Sequence, residues 1–201
     1  LSGCKNNGLL ATGHDNGSVR LHGRAGQQNE FRAHKTFLYA LTITPRGNLI
    51  TSAFDGMVHC WNIGELKKRY SCEHGGLIFC VDAHRTDPII LSSGNRKYCL
   101  WDEETGQLIT RVDTPDHGGH MYARYTPKNK HIVTAGDDRT MKLWLADGSS
   151  SLASVDLPDM FVSAICPIDE SSALAATANG DLYLADFDSE SVKGMFPANE
   201  D

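Results

Sequence analysis

Leu49-Ile-Thr-Ser-Ala-Phe-Asp-Gly-Met-Val-His-Cys-Trp61 and Ile132-Val-Thr-Ala-Gly-Asp-Asp-Arg-Thr-Met-Lys-Leu-Trp144 align without a gap. Residues 9–22, 89–101 and 173–185 join the same alignment, so the last residues fall at 22, 61, 101, 144 and 185, in steps of 39, 40, 43 and 41. Self-similarity at such a period is the mark of a repeat architecture. Each segment reads as two short strands around a tight turn. The turn residue is Asn16, Asp55, Asn95, Asp138 or Asn179, followed by Gly17, Gly56, Arg96, Arg139 or Gly180. Asn-Gly and Asp-Gly are strong hairpin signals because both residues accept left-handed backbone; Arg96 and Arg139 weaken the signal in two copies.

A second landmark lies 27 residues before each tryptophan: His34 before Trp61, His74 before Trp101 and His117 before Trp144. Apolar strands follow at 37–43, 77–81 and 121–125. Turn signals follow two of these, at Thr44-Pro45-Arg46-Gly47 and Thr126-Pro127-Lys128-Asn129. Outer strands are expected at 29–32, 68–72, 108–112, 152–156 and 192–196, and an opening strand, cut short, at 2–4.

On these residues the chain resembles the WD40 repeat family. Trp101-Asp102 keeps the family's closing dipeptide and Trp61-Asn62 nearly does; Ala33-His34, Glu73-His74 and Asp116-His117 stand where the family has Gly-His. The resemblance covers nearly all of the chain. It implies an all-β fold, a β-propeller of four-stranded blades. Five blades are visible, the first trimmed, at about 1–32, 33–72, 73–112, 113–156 and 157–201. A ring of about seven would need roughly 280–315 residues, so the chain is expected to be part of a larger propeller, its missing blades supplied by the rest of the chain or by a partner; a closed five-bladed ring is the alternative. The resemblance also implies a structural network in each blade: His34, Thr51, Asp55 and Trp61; His117, Thr134, Asp138 and Trp144; and, less regularly, His74, Asn95 and Trp101, with Ser92 one position off. The first and fifth units, ending in His22 and Ala185, lack it.

Composition bounds the function. The 201 residues are 40% apolar and 22% charged, which fits a globular domain, and no apolar run approaches the roughly 20 residues that span a bilayer. No leader segment is visible. The net charge of −6 and the scatter of Lys and Arg speak against a nucleic-acid surface. The six cysteines form no C-x-x-C pair and read as reduced thiols of an intracellular, cytoplasmic protein, the nucleus being the alternative. His, Ser/Thr and Asp occur together, as in a hydrolytic triad, but the trio recurs with every tryptophan, whereas a catalytic site is built once. His117 and His120 are the only close histidine pair, and two ligands make no zinc site. The Gly75-Gly76 and Gly118-Gly119 pairs form no phosphate loop. No enzyme activity, metal or cofactor is therefore expected.

Three and five residues after the landmark histidines stand Phe37 and Tyr39, Leu77 and Phe79, and His120 and Tyr122; Phe161 stands at the first of these offsets in the fifth unit. Alternation puts both offsets on one strand face. By resemblance this face lies near the top rim, where the family contacts partners, so these residues are the expected contact set for other proteins. The expected role is a non-catalytic protein–protein interaction scaffold. The alternatives are a regulatory or targeting module of a larger enzyme or complex, a recognition module for a phosphorylated, methylated or ubiquitinated peptide, and a catalytic propeller. A methyl-lysine cage would draw on Tyr39, Phe79 and Tyr122.

Overall fold

The computed structural model describes residues 2–6, 8–23, 28–158 and 161–196, with the side chains of those from residue 8 onward other than 195. The connector expected at 23–29 falls mostly outside them. Twenty strands form five four-stranded sheets. Sheet one holds β1 (Ser2–Asn6), β2 (Leu9–Gly13), β3 (Ser18–His22) and β4 (Gln28–Arg32). Sheet two holds β5 (Leu38–Ile43), β6 (Asn48–Ala53), β7 (Met57–Asn62) and β8 (Lys67–Glu73). Sheet three holds β9 (Cys80–Ala83), β10 (Ile89–Gly94), β11 (Lys97–Asp102) and β12 (Leu108–Asp113). Sheet four holds β13 (Met121–Tyr125), β14 (His131–Gly136), β15 (Thr140–Leu145) and β16 (Ser151–Asp156). Sheet five holds β17 (Val162–Pro167), β18 (Ser172–Thr177), β19 (Leu182–Asp186) and β20 (Ser191–Phe196). In every sheet sequential strands are neighbours. A short 3-10 turn, Pro115–His117, precedes β13.

Two differences from the sequence reading have local causes. The first sheet is not short of its opening strand, because β1 pairs with β2 over five residues, Ser2 to Asn6. The strand expected at 77–81 begins only at Cys80. Gly75 and Gly76 both take positive φ, 76° and 80°, and the loop they form keeps residues 77–79 out of the ladder.

The hairpin turns explain a third irregularity. The loop between β6 and β7 has three residues, as does that between β14 and β15, whereas the loop between β10 and β11 has two, Asn95 and Arg96. Both of these residues have positive φ, 50° and 64°, as a two-residue hairpin of the primed type requires. The shorter loop is why the third hairpin's hydroxyl is Ser92, nine residues before Trp101, where Thr51 lies ten before Trp61. The turn glycines of sheets one and two, Gly17 and Gly56, are tightly held. A Cβ on Gly17, at φ +81°, would sit 2.3 Å from the His34 carbonyl oxygen, the same segment whose amides bond back to the Gly17 carbonyl.

The chain clusters into two compact units, residues 1–92 with 99–109, and residues 93–98 with 110–201. In the first, Ala11, Val19 and Leu21 of sheet one pack with Leu38, Leu41, Leu49 and Trp61 of sheet two. Ile50, Val58 and Cys60 then pack with Ile78, Val81, Ile90 and Trp101. In the second unit, Val133, Ala135, Met141 and Leu143 of sheet four meet Ile165, Ala173, Ala175 and Tyr183 of sheet five. One cross-strand motif makes these contacts each time: Ala11↔Leu21 and Gly13↔Val19, Ile50↔Cys60 and Ser52↔Val58, Val133↔Leu143 and Ala135↔Met141. Sheet five repeats it as Leu174↔Leu184 and Ala176↔Leu182. There, however, Leu182 is 39% exposed and the other three are only half-buried. No described helix is long and apolar enough to cross a membrane.

Candidate functional site: three histidine networks and an aromatic platform

The direction of each hydrogen bond in sheet two follows from its donors. The Trp61 indole N–H can only donate, and it reaches the Thr51 hydroxyl oxygen at 3.0 Å. Thr51 then donates its single proton to His34 Nε2 at 2.8 Å. His34 therefore carries its ring proton on Nδ1 and donates it to Asp55 at 3.0 Å. Sheet four repeats the relay: Trp144 to Thr134 at 2.9 Å, Thr134 to His117 at 2.9 Å, and His117 to Asp138 at 2.9 Å. Burial pushes the Asp138 carboxyl up, but the bonds from His117 and Thr140 outweigh it and hold the group below the usual carboxylate range.

In sheet three, Ser92 takes the Trp101 indole proton at 2.8 Å and lies 2.9 Å from His74 Nδ1. Asn95, expected in the carboxylate's place, lies in the two-residue turn, and its backbone N–H donates to the Gly119 carbonyl at 3.0 Å.

The His–hydroxyl–carboxylate distances are those of a hydrolytic triad, yet the hydroxyls that would act as nucleophiles are out of reach of solvent. Thr51, Thr134 and Ser92 are all fully buried, and each hydroxyl oxygen already receives an indole proton. A nucleophile must reach its carbonyl; these hydroxyls reach only a histidine and an indole of their own sheet. His117 and His120 also part company. His117 is bound to Thr134 and Asp138, whereas exposed His120 lies 3.2 Å from Asp137.

Sheet two carries an addition. His59, 8% exposed, stacks face to face on His34, with centroids 4.3 Å apart and planes 4° apart. Burial, His34 and Lys68 push its pKa down to about 4. An imidazole whose folded pKa lies below its ordinary 6.5 binds its proton more readily once unfolded. Stability from this site is thus complete above pH 6.5 and is lost as the pH falls from 6.5 towards 4. The expected loss is about 2 kcal/mol. It is read as a fall in the urea midpoint of metal-free protein over that interval, and His59→Gln should flatten it. An unchanged profile in that variant would assign the effect elsewhere.

The expected contact residues fall in three settings. In the first unit, Phe37 is 40% exposed and Tyr39 half-buried, their centroids 6.2 Å apart. Sequence reasoning missed Phe54. It is 43% exposed and stacks on Phe37 at 5.2 Å and on Tyr39 at 5.6 Å. Phe79 meets Tyr39 edge-on at 5.0 Å but is only 5% exposed, so it supports the platform rather than presenting a surface. Leu77 is 42% exposed, on the loop whose Gly76 lies against Gly56 of the Phe54 turn. In the second unit, Tyr122 packs against the apolar cluster of sheets four and five. Phe161 is 52% exposed, with left-handed backbone at φ 61°. Phe37, Tyr39 and Phe54 thus form one aromatic platform.

The sequence profile of the family described as "WD domain, G-beta repeat" matches residues 26–62 and 109–144. Cilia- and flagella-associated protein 52 of Sus scrofa is 25% identical over 141 residues, 67% of this chain and 23% of that protein. WD repeat-containing protein SL1-17 of Schistosoma mansoni is 27% identical over 172 residues, 81% of this chain and 57% of that protein. U3 small nucleolar RNA-associated protein 12 of Saccharomyces cerevisiae is 24% identical over 115 residues, 57% of this chain and 12% of that protein. The chain thus spans about a quarter of the length of the ciliary relatives. Residues 26–62 and 109–144 match WD repeats, and five four-stranded sheets of one strand order, three of them with a Trp–hydroxyl–His relay, are consistent with blades of a WD40-type β-propeller.

Proposed function

We propose that the protein is a non-catalytic interaction scaffold whose contact surface in the first unit is the platform of Phe37, Tyr39, Phe54 and Leu77. The observation that carries this reading is the stack of exposed aromatic rings beside a hydrogen-bond relay that is internally satisfied. Exposed Phe and Leu gain nothing from water, and aromatic anchors of this kind dominate binding energy in protein interfaces. His120, Tyr122 and Phe161 form the corresponding set on the second unit, with His120 and Phe161 offering the accessible surface. The test is affinity capture of partners by the full-length protein beside its Phe37→Ser/Phe54→Ser/Leu77→Ser form. Loss of about tenfold or more in affinity, with unchanged melting, is expected. Equal capture by both forms would remove the platform from the interface.

The open face of sheet five supports a second element of the reading. Leu174, Ala176, Leu182 and Leu184 occupy the register positions that every other sheet with a described register buries against its successor. A further blade, from the rest of the polypeptide or from a partner, is the surface that matches them. The low coverage of the ciliary relatives favours a module within a longer protein or a larger complex. We assign it to the cytoplasm, with the nucleus as the alternative that the yeast relative's name raises.

A further inference from the structure

His59 is not needed by the relay it adjoins. In sheet four Lys142 pairs with Thr134 in register as His59 pairs with Thr51, and the Trp144–Thr134–His117–Asp138 relay is complete beside it. His59 nevertheless brings a second imidazole to the carboxylate end of the His34 relay. Its Nδ1 is buried and has no hydrogen-bond partner, an arrangement that costs free energy unless something fills it. One ligand atom each from His34, Asp55 and His59 lie within 4.8 Å of one another. Asp55 is exposed, and the three residues line an open cleft of about 430 Å³, which gives an entry path and room for water.

We propose that His34, Asp55 and His59 form a site for one divalent cation of the zinc class. Two imidazole nitrogens and a carboxylate oxygen are a donor set for borderline ions and not for calcium or magnesium, which take oxygen ligands. The relay fixes the proton count. His34 Nε2 is occupied by the Thr51 proton, so the metal must bind Nδ1, replacing the proton that Nδ1 shares with Asp55. The cation enters, the Nδ1–H proton leaves to solvent, and Asp55 changes partner from that proton to the metal. The rings lie face to face, so one must turn to bring both lone pairs to a common point. His59 can turn, because its Nδ1 has no hydrogen bond to break. Lys68, also lining the cleft, opposes a cation by like charge, so Lys68→Ala should tighten binding.

The test is a zinc titration of the chelator-stripped, full-length protein by calorimetry in buffers of different ionisation enthalpy, with calcium and magnesium as comparison ions. One zinc per chain, release of one proton, and an affinity weakened by about tenfold or more in both His59→Gln and His59→Lys are expected. The melting temperature of those variants in chelator shows that the fold is kept. Absence of zinc binding, binding without proton release, or equal binding by the His59 variants would overturn the assignment. So would loss of binding in His14→Gln/His22→Gln, whose rings approach a common hydroxyl, that of Thr12, in sheet one.

Discussion

Replacing His117 by alanine lowers the stability of the protein by about 3–4 kcal/mol, the cost of a buried polar relay broken at its centre. The ring is fully buried and holds Thr134 at one nitrogen and Asp138 at the other. Without it the Thr134 hydroxyl has a donor, Trp144, but loses its acceptor in a site that water does not reach. Asp138 keeps Thr140 and loses its principal donor. A cavity of imidazole size adds to both costs. The surroundings have little freedom to collapse into it, since a Cβ on Gly136 would already lie 2.3 Å from the His117 carbonyl oxygen and 2.8 Å from its Cβ. A fall in melting temperature of about 10 °C is expected, measured by calorimetry. A melting point within a degree or two of wild type would mean that the relay does not hold the blade.

The second large effect is expected at Glu103→Ala, a loss of about 2–4 kcal/mol. Glu103 is fully buried on the loop after β11. Its carboxylate accepts the Thr44 hydroxyl at 2.6 Å and the Asn48 side-chain amide at 2.8 Å, and its backbone carbonyl accepts the Tyr70 hydroxyl. Arg46 lies 3.9 Å from the other carboxylate oxygen, Oε2, which has no hydrogen-bond partner. The residue ties the turn between β5 and β6 to the loop between β11 and β12. Removing it takes the carboxylate acceptor away from two buried donors, and an unmade buried bond costs more than a made one contributes. Glu103→Gln retains an acceptor and should lose less than half as much. Equal losses in urea denaturation would show that the charge, and not the hydrogen-bond geometry, carries the contribution.

The periodic part of this structure was legible because repetition multiplies weak signals. One Asp-Gly pair marks only a turn; five turns at 39–43-residue steps, three with tryptophan and histidine at one offset, mark an architecture. The relay of sheets two and four was expected from the family resemblance that these repeats carry. What escaped depends on contacts with no period. Phe54 occupies a hairpin turn, where strand alternation says nothing about direction, and it joins the platform only because the turn folds back over Phe37. The one-residue offset of Ser92 was visible in the alignment, but its cause, a two-residue turn in place of a three-residue one, was not. Glu103 finds Thr44 59 residues away, and no local pattern encodes that pair. His59 looks in sequence like one more strand residue, and only the register against Thr51 brings it over His34.

The proposed scaffold has two separable features: a buried relay in sheets two, three and four and an exposed platform for partners. The most direct test is partner capture by wild type, His117→Ala and Phe37→Ser/Phe54→Ser/Leu77→Ser forms side by side, at a temperature where all three are folded by circular dichroism. The account expects His117→Ala, although less stable, to retain the partners, and the platform variant, although as stable as wild type, to lose them. Retention of every partner by the platform variant, or their selective loss from folded His117→Ala, would contradict it.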